Sequence, residues 1–222
     1  WGLEWGNLVT SIDWDYKFAS NHETSLKVYY SMYDSLFGLY DDYYYEHYDY
    51  VEETLTSTGN KSRTSGLGLK ADFGYRPAEN HHIRYGTALK CRFYNPVSFA
   101  IENEKINGKL IYDKDNRQSS PRKSFESDLY IEDEMTLTDW FTANVGLRYS
   151  AIATDGKWYH SVEPRAALRF QCGDYTDLKL SYSEMSQNSH LISSTYLQLP
   201  TSFWMPSTSK IAPSRSRQVA GG

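Results

Sequence analysis

Asn7-Leu8-Val9-Thr10-Ser11-Ile12-Asp13-Trp14-Asp15-Tyr16-Lys17-Phe18 alternates with a period of two. Leu8, Thr10, Ile12, Trp14, Tyr16 and Phe18 fall on one face of a strand. Asn7, Val9, Ser11, Asp13, Asp15 and Lys17 fall on the other, because successive strand side chains point to opposite sides. A strand of this length is about twice the usual soluble one and close to what crosses a tilted bilayer span. The pattern suggests an all-β fold, an antiparallel transmembrane β-barrel with apolar residues outward and polar residues inward.

The same rhythm continues along the chain. Strands are expected at 7–18, 24–34, 62–75, 81–95, 124–137, 141–152, 161–171 and 177–187, with a ninth starting near 215. Tight links at 19–23, 76–80, 138–140 and 172–176 hold Asn21, Pro77, Asn80, Asp139, Gly173 and Asp174, the residue types that turns require. Between them the pattern predicts loops at 35–61, 96–123, 153–160 and 188–214. Alternation of short turns with long loops is the habit of outer-membrane barrels. Apolar aromatics collect at strand ends, with Trp5, Phe18, Tyr75, Phe93, Phe125, Phe141, Tyr149 and Phe170 expected as interfacial girdles.

Composition narrows the classes. The 222 residues are 40% hydrophobic, and no apolar run is long enough for a helical membrane span. Alternation dilutes the apolar residues of a barrel, so a barrel survives this test. Tyrosine occurs 20 times, which fits strands and girdles, and a net charge of -5 gives no basic surface for nucleic acid. Cys91 and Cys172 fall on strands that are not expected to be neighbours, so they read as free thiols. His22, His47, His81, His82, His160 and His190 are scattered, and no metal-type spacing, nucleophile elbow or phosphate loop is present. No cofactor, metal or catalytic residue is expected. The start at Trp1 in mid-pattern and the strand just begun at Gln218–Gly222 read as a piece of a longer protein.

Two residues fit badly. Asp133 would face lipid in mid-strand, and Pro164 would remove a ladder donor, so a bulge or an outer-rim position is expected there. The 124–137 strand points Glu126, Asp128, Glu132 and Glu134 inward, toward Arg84, Lys90, Arg92 and Arg148. If Leu137 pairs with Phe141 across the turn, Tyr130 faces Arg148. Among the loops, 39–53 is the most distinctive. Tyr43, Tyr44, Tyr45, His47, Tyr48 and Tyr50 lie among six carboxylates with no lysine or arginine. Rings can stack on sugar faces and carboxylates can bind hydroxyls or hard cations. The last loop carries Tyr196, Phe203 and Trp204, which together with the tyrosine cluster form the candidate ligand-binding set at the barrel mouth.

Thr136–Ser150, with Trp140 and Val145-Gly146-Leu147-Arg148-Tyr149, resembles a hairpin of TonB-dependent receptors. Glu163-Pro164-Arg165 through Arg169-Phe170, then Leu178 through Ser183, are similar to the strands that follow it in that family, with Phe170 where tyrosine is common. Asn188–Leu191, Leu199–Thr201, Trp204–Pro206 and Pro213–Gln218 resemble the family's next loop and strand entry. The resemblance implies a 22-strand barrel around an N-terminal plug, of which residues 1–222 would form about eight strands plus the start of a ninth. Plug and barrel ends would be absent. Arg84, Arg92, Glu132, Arg148, Arg165 and Arg169 would then face the lumen and plug. The implied setting is the outer membrane of a Gram-negative bacterium. The implied partners are outer-membrane lipid, TonB with ExbB–ExbD acting through the plug, and in some members a surface lipoprotein cap. The implied activity is uptake of a scarce or bulky ligand such as a glycan, siderophore or haem. The rival readings are a soluble β-sandwich that binds carbohydrate and a passive porin or adhesin barrel without a plug. An isolated segment of this kind would carry two unpaired sheet edges, which invite further strands.

Overall fold

The computed structural model describes residues 1–173, 175–192 and 202–222, so Asp174 and Tyr196 lie outside the described residues. The chain is a β-meander: β1 (Gly2–Ala19), β2 (His22–Glu46), β3 (Val51–Ala78), β4 (His81–Ile106), β5 (Lys109–Ser119), β6 (Arg122–Thr138), β7 (Phe141–Thr154), β8 (Lys157–Gln171), β9 (Asp177–Gln187), β10 (Ser189–Ile192), β11 (Phe203–Pro206) and β12 (Ser214–Gly221). The main sheet runs β1-β2-β3-β4-β6-β7-β8-β9-β12, every pairing is antiparallel, and β5 also pairs with β4. These are the eight expected strands and the ninth just begun. Among the described residues β1 and β12 each pair on one side only, so this stretch does not close on itself.

Three of the expected loops are strand. β2 and β3 continue as one uninterrupted ladder from His22↔Tyr75 to Glu46↔Val51, which absorbs 35–61 except for the turn at 47–50, where His47 N donates to Tyr50 O at 2.8 Å. β4 and β5 absorb most of 96–123, with β5 and β6 lying end to end in one lane beside β4. The break in that lane sets Pro121 near Pro96, two residues that cannot donate to a ladder. The expected loop at 153–160 is a two-residue hairpin. Asn107-Gly108 and Asp155-Gly156 both take positive φ, at 51° and 74° and at 50° and 74°. That is the turn whose twist matches paired strands, and it favours Asn-Gly and Asp-Gly. These extensions escaped the alternation test because apolar and polar residues occur on both their faces: above the bilayer, water lies on both sides.

The register fixes the two faces. One face carries Leu8, Ile12 and Trp14, then Val28, Leu67 and Leu69, then Leu129 and Ile131, then Val145 and Leu147, then Leu178 and Leu180. All of these are exposed, from 43% at Leu69 to 77% at Ile12. No second β-layer covers them among the described residues, which removes the soluble-sandwich reading. The opposite face holds the most buried groups, including Tyr94, Asp128, Glu163 and Ser207 at 3% exposure or less. Apolar outside and charged inside is the inverse of a soluble domain and the pattern of a membrane barrel.

The apolar band has visible limits. From Ser65 to Tyr75 the outward side chains of β3 are uncharged, about the nine to eleven residues that cross a bilayer in a tilted strand. The next outward rung holds Asp34 and Arg63, an ion pair at 2.6 Å. Phe141 and Phe170 stack at 4.6 Å beside Trp140 at the tight-turn end. Tyr149, His160 and Trp158 stack at the other. Trp5 departs from the expected girdle. The unbroken β1–β2 register sets it opposite Ser35, on the face shared by Asp13 and Lys27, which is the inner face.

Both misfits acquire a physical account. Asp133 does face outward, but near the tight-turn end, where His81 Nδ1 lies 2.8 Å from its Oδ2 and shares the cost of the carboxylate. Pro164 makes neither a bulge against β7 nor a rim position. It sits opposite Leu147 in unbroken register, and β8–β9 pairing ends at Arg165↔Ser183. Its missing donor coincides with the point where β9 leaves β8. The side-chain carboxylate of Glu163 then accepts the Ser186 N–H at 3.0 Å in place of a ladder bond.

Candidate functional site

At bilayer level the inner face is a charge network built by four neighbouring strands. Tyr130 pairs with Arg148 across β6–β7 as expected, with a local irregularity between Thr136 and Thr138 beside the turn. Asp128, 4% exposed in its side chain, accepts from Arg148 and from Ser150, and lies 3.4 Å from Lys90 Nζ. Glu126 lies 3.5 Å from Arg92 and 3.8 Å from Lys90. Arg148 also approaches Glu163 at 4.0 Å. Nearer the tight-turn end, Arg84 lies 2.8 Å from Glu132 and 3.6 Å from Glu134, while Tyr130 donates to Asp72. A cavity of about 600 Å³ opens there between Asp15, Lys17, Glu23, Lys70, Arg84 and Glu132. A charge this far from water keeps its place only with a partner, and here nearly every one has a partner.

The six residues expected on the polar side all share it. Arg84 and Glu132 occupy one rung, Arg92 and Glu126 adjoin, and Arg148 faces Tyr130 and Glu163. Arg169 pairs with Asp177 at 2.7 Å at the tight-turn rim. Arg165 sits between Gly146 and Ser183 with no carboxylate partner among the described residues.

Above this network β10 and β11, between β9 and β12 in the chain, lie on the inner side of the sheet. β10 and β11 form a small hairpin, and β11 lies against β3, β4 and β6. Its roots are tied at many points. Asn188 Nδ2 donates to Glu126 at 3.1 Å, Arg92 donates to Ser189 Oγ at 2.8 Å, and Tyr94 Oη lies 2.6 Å from the same hydroxyl. Thr154 donates to Ser207 O at 2.7 Å and Tyr159 to Thr208 O at 2.6 Å. Asp155, in the β7–β8 turn, accepts from Ser209 N at 3.0 Å and Ser209 Oγ at 2.8 Å, and pairs with Arg122 at 3.0 Å. The Ser209 backbone bond, then its hydroxyl, then Arg122 hold this carboxyl below the ordinary range. Phe203 and Trp204 are half-buried on β11. Sequence reading identified these two aromatics but not the anchoring set of Tyr94, Thr154, Asp155, Asn188 and Ser207, whose bonds between this segment and the main sheet span more than 30 residues.

The tyrosine cluster is divided by the pleat. Tyr43, Tyr45 and His47 follow one another on the inner side, with ring centroids 6.2 and 4.5 Å apart, and His47 stacks on Tyr50 at 4.6 Å. Tyr44 points to the other side, and Tyr48 at the turn is fully exposed. The cluster is thus the tip of a tall wall of paired strands, β2 to β5, and not an open loop.

Residues 2–221 match the family model "TonB dependent receptor-like, beta-barrel". No curated protein sequence matches the chain. Among solved structures, BauA, the ferric preacinetobactin receptor from Acinetobacter baumannii, aligns over 98% of this chain and 34% of its own at 12% identity, with a TM-score of 0.52. The RagAB peptide transporter aligns over 99% of this chain and 28% of its own at 8% identity, also with a TM-score of 0.52. At these identities the likeness is one of fold, and the chain spans about a third of the length of such proteins. With its lipid-ready outer face and charged inner face, the chain belongs to the TonB-dependent receptor-like β-barrel family, in the outer membrane of a Gram-negative bacterium.

Proposed function

We propose that the protein takes up a scarce or bulky ligand across the outer membrane by TonB-dependent transport, and that the inner charge network seats a plug. The carrying observation is the conjunction of exposed apolar residues on one face with the buried Lys90–Asp128–Arg148–Glu163 network on the other. A wide open channel would leave such charges in bulk water, whereas this face is already partly dry and offers unfilled polar space near Arg84 and Glu132. Arg84, Arg92, Glu132, Arg148, Arg165 and Arg169 are the proposed plug- or lumen-facing set. Tyr43, Tyr45, His47, Tyr50, Phe203 and Trp204 are the proposed ligand contacts within the described residues.

In this reading TonB, driven by ExbB–ExbD, acts on the plug from the periplasm, and capture needs no covalent chemistry. The tall β2–β5 wall also offers a surface on which a lipoprotein cap could rest. In cells whose only route for the ligand is this receptor, loss of TonB is expected to abolish uptake. Undiminished uptake in cells lacking TonB would establish a passive pore instead.

A further inference from the structure

From the Tyr33–Thr64 rung upward, the inner face of β1–β4 carries a surface that the charge network does not use, buried at its base, where Tyr94 and Ser62 are 2% and 4% exposed, and open above. Successive rungs read Asn7–Tyr33–Thr64–Tyr94, Trp5–Ser35–Ser62–Pro96, Leu3–Phe37–Asn60–Ser98, Leu39–Thr58–Ala100, Asp41–Thr56–Glu102 and Tyr43–Thr54–Glu104. Two chemistries run side by side. Trp5, Tyr33, Phe37, Tyr43 and Tyr45 line β1 and β2, while Thr54, Thr56, Thr58, Asn60, Ser62 and Thr64 form an unbroken column of hydroxyls and one amide on β3. From Tyr33 to Tyr45 the track is roughly 40 Å long at a strand rise of about 3.4 Å per residue. Trp5 is 69% exposed and Leu39 51%.

We propose that this track binds an uncharged glycan chain, with sugar faces on the aromatic column and sugar hydroxyls on Thr54, Thr56, Thr58 and Asn60 of the β3 column. The assignment deepens the uptake reading and rests on it for the ligand's later fate, though not for binding. Three observations select this occupant. The inner residues of β3 from Glu52 to Gly66 include no cation and one carboxylate, so an anionic chelate or acidic polymer finds no counter-charge. The inner carboxylates Asp41, Glu52, Glu102 and Glu104 gather at the top, where they suit a chain end's hydroxyls better than an evenly charged cationic ligand. β3 is paired on both sides throughout, by β2 and by β4. A peptide therefore finds no free backbone edge to extend, and the ligand must be read by side chains alone. Aromatic faces beside hydroxyl and amide groups are the surface that an amphipathic sugar ring complements.

The test uses the full-length receptor in detergent, without TonB. Its probes are soluble α- and β-glucans, mannan, xylan and galactan, with polygalacturonate, a lysine-rich hexapeptide and a ferric hydroxamate chelate as competitors of other classes. Calorimetry or tryptophan fluorescence should detect at least one neutral glycan. Trp5→Ala and Phe37→Ala should each weaken it roughly three- to tenfold, and Leu55→Ala, on the opposite face, should leave it unchanged. Unaltered heat-dependent electrophoretic mobility of each variant shows that the barrel is intact. The proposal is overturned if no neutral glycan binds, if binding is indifferent to Trp5 and Phe37, or if only a charged probe binds with that sensitivity. Because binding is measured without TonB, failure of glycan recognition and failure of active uptake give separate results.

Discussion

At the scale of single residues, the inner face is governed by how charge survives away from water. Asp128 is the centre of its network, meeting Arg148, Lys90 and Ser150 with almost no exposure of its own. Asp128→Ala leaves two cations short of a partner, while Arg148 and Lys90 keep some solvent at 30% and 23% exposure. The expected loss is therefore about 2–4 kcal/mol, below the upper end for a fully buried pair. It is read as a lower unfolding midpoint in a urea titration followed by electrophoretic mobility. Gly86 makes a different demand. A Cβ there would strike the Ala71 carbonyl oxygen of the adjoining strand and lie 2.9 Å from the Tyr130 ring. Gly86→Ala should cost about 1–3 kcal/mol by overpacking, and an unchanged midpoint would show that the β3 backbone at Ala71 shifts freely.

At the scale of elements, Asn188 beside β9 and Ser207 and Ser209 ahead of β12 are tied to the sheet. The Asp155 carboxylate gathers Ser209 and Arg122 at the rim of the β7–β8 hairpin. Its pKa is depressed in the folded state, so the tether is complete above the ordinary carboxylate value, near 4. It is lost as pH falls through the lower folded value. Limited proteolysis between 202 and 213 should be slow at neutral pH and accelerate below about pH 4. Asp155→Asn should show the fast cleavage at every pH, because it keeps the shape but loses the ion pair with Arg122. Pro164 shows how one residue shapes two strands: it lacks the donor that β9 would need at the point where β9 departs.

At the scale of the whole molecule, the boundary between lipid and water is a property of the sheet and not of any strand. Leu129 and Leu55 are both outward and both exposed, at 55% and 44%. Leu129 lies in the middle of the apolar band, whereas Leu55 stands above the Asp34–Arg63 rung. Leu129→Arg should cost about 2–4 kcal/mol and Leu55→Arg nearly nothing, measured as folded fraction after refolding into lipid vesicles. Equal costs would mean that the band extends up the β2–β5 wall. The bare edges of β1 and β12 belong to the same scale, since an unpaired edge cannot face hydrocarbon.

The sequence by itself determined the membrane-crossing strands, their two faces and the tight turns, because a period of two is a local property wherever lipid and lumen differ. It also carried Asn107-Gly108 and Asp155-Gly156, whose hairpin geometry is equally local, although the long polar spans around them read as loops. Where both faces of a strand meet water, alternation disappears and only partner strands reveal it; that is why 35–61 and 96–123 became strand only in three dimensions. The tertiary structure alone decided that Asp133 finds His81, and that Asn188, Ser189 and Ser207 are tied to β6, β4 and β7. Each of these depends on a register or a contact between residues far apart in the chain, and no local pattern encodes such a distance.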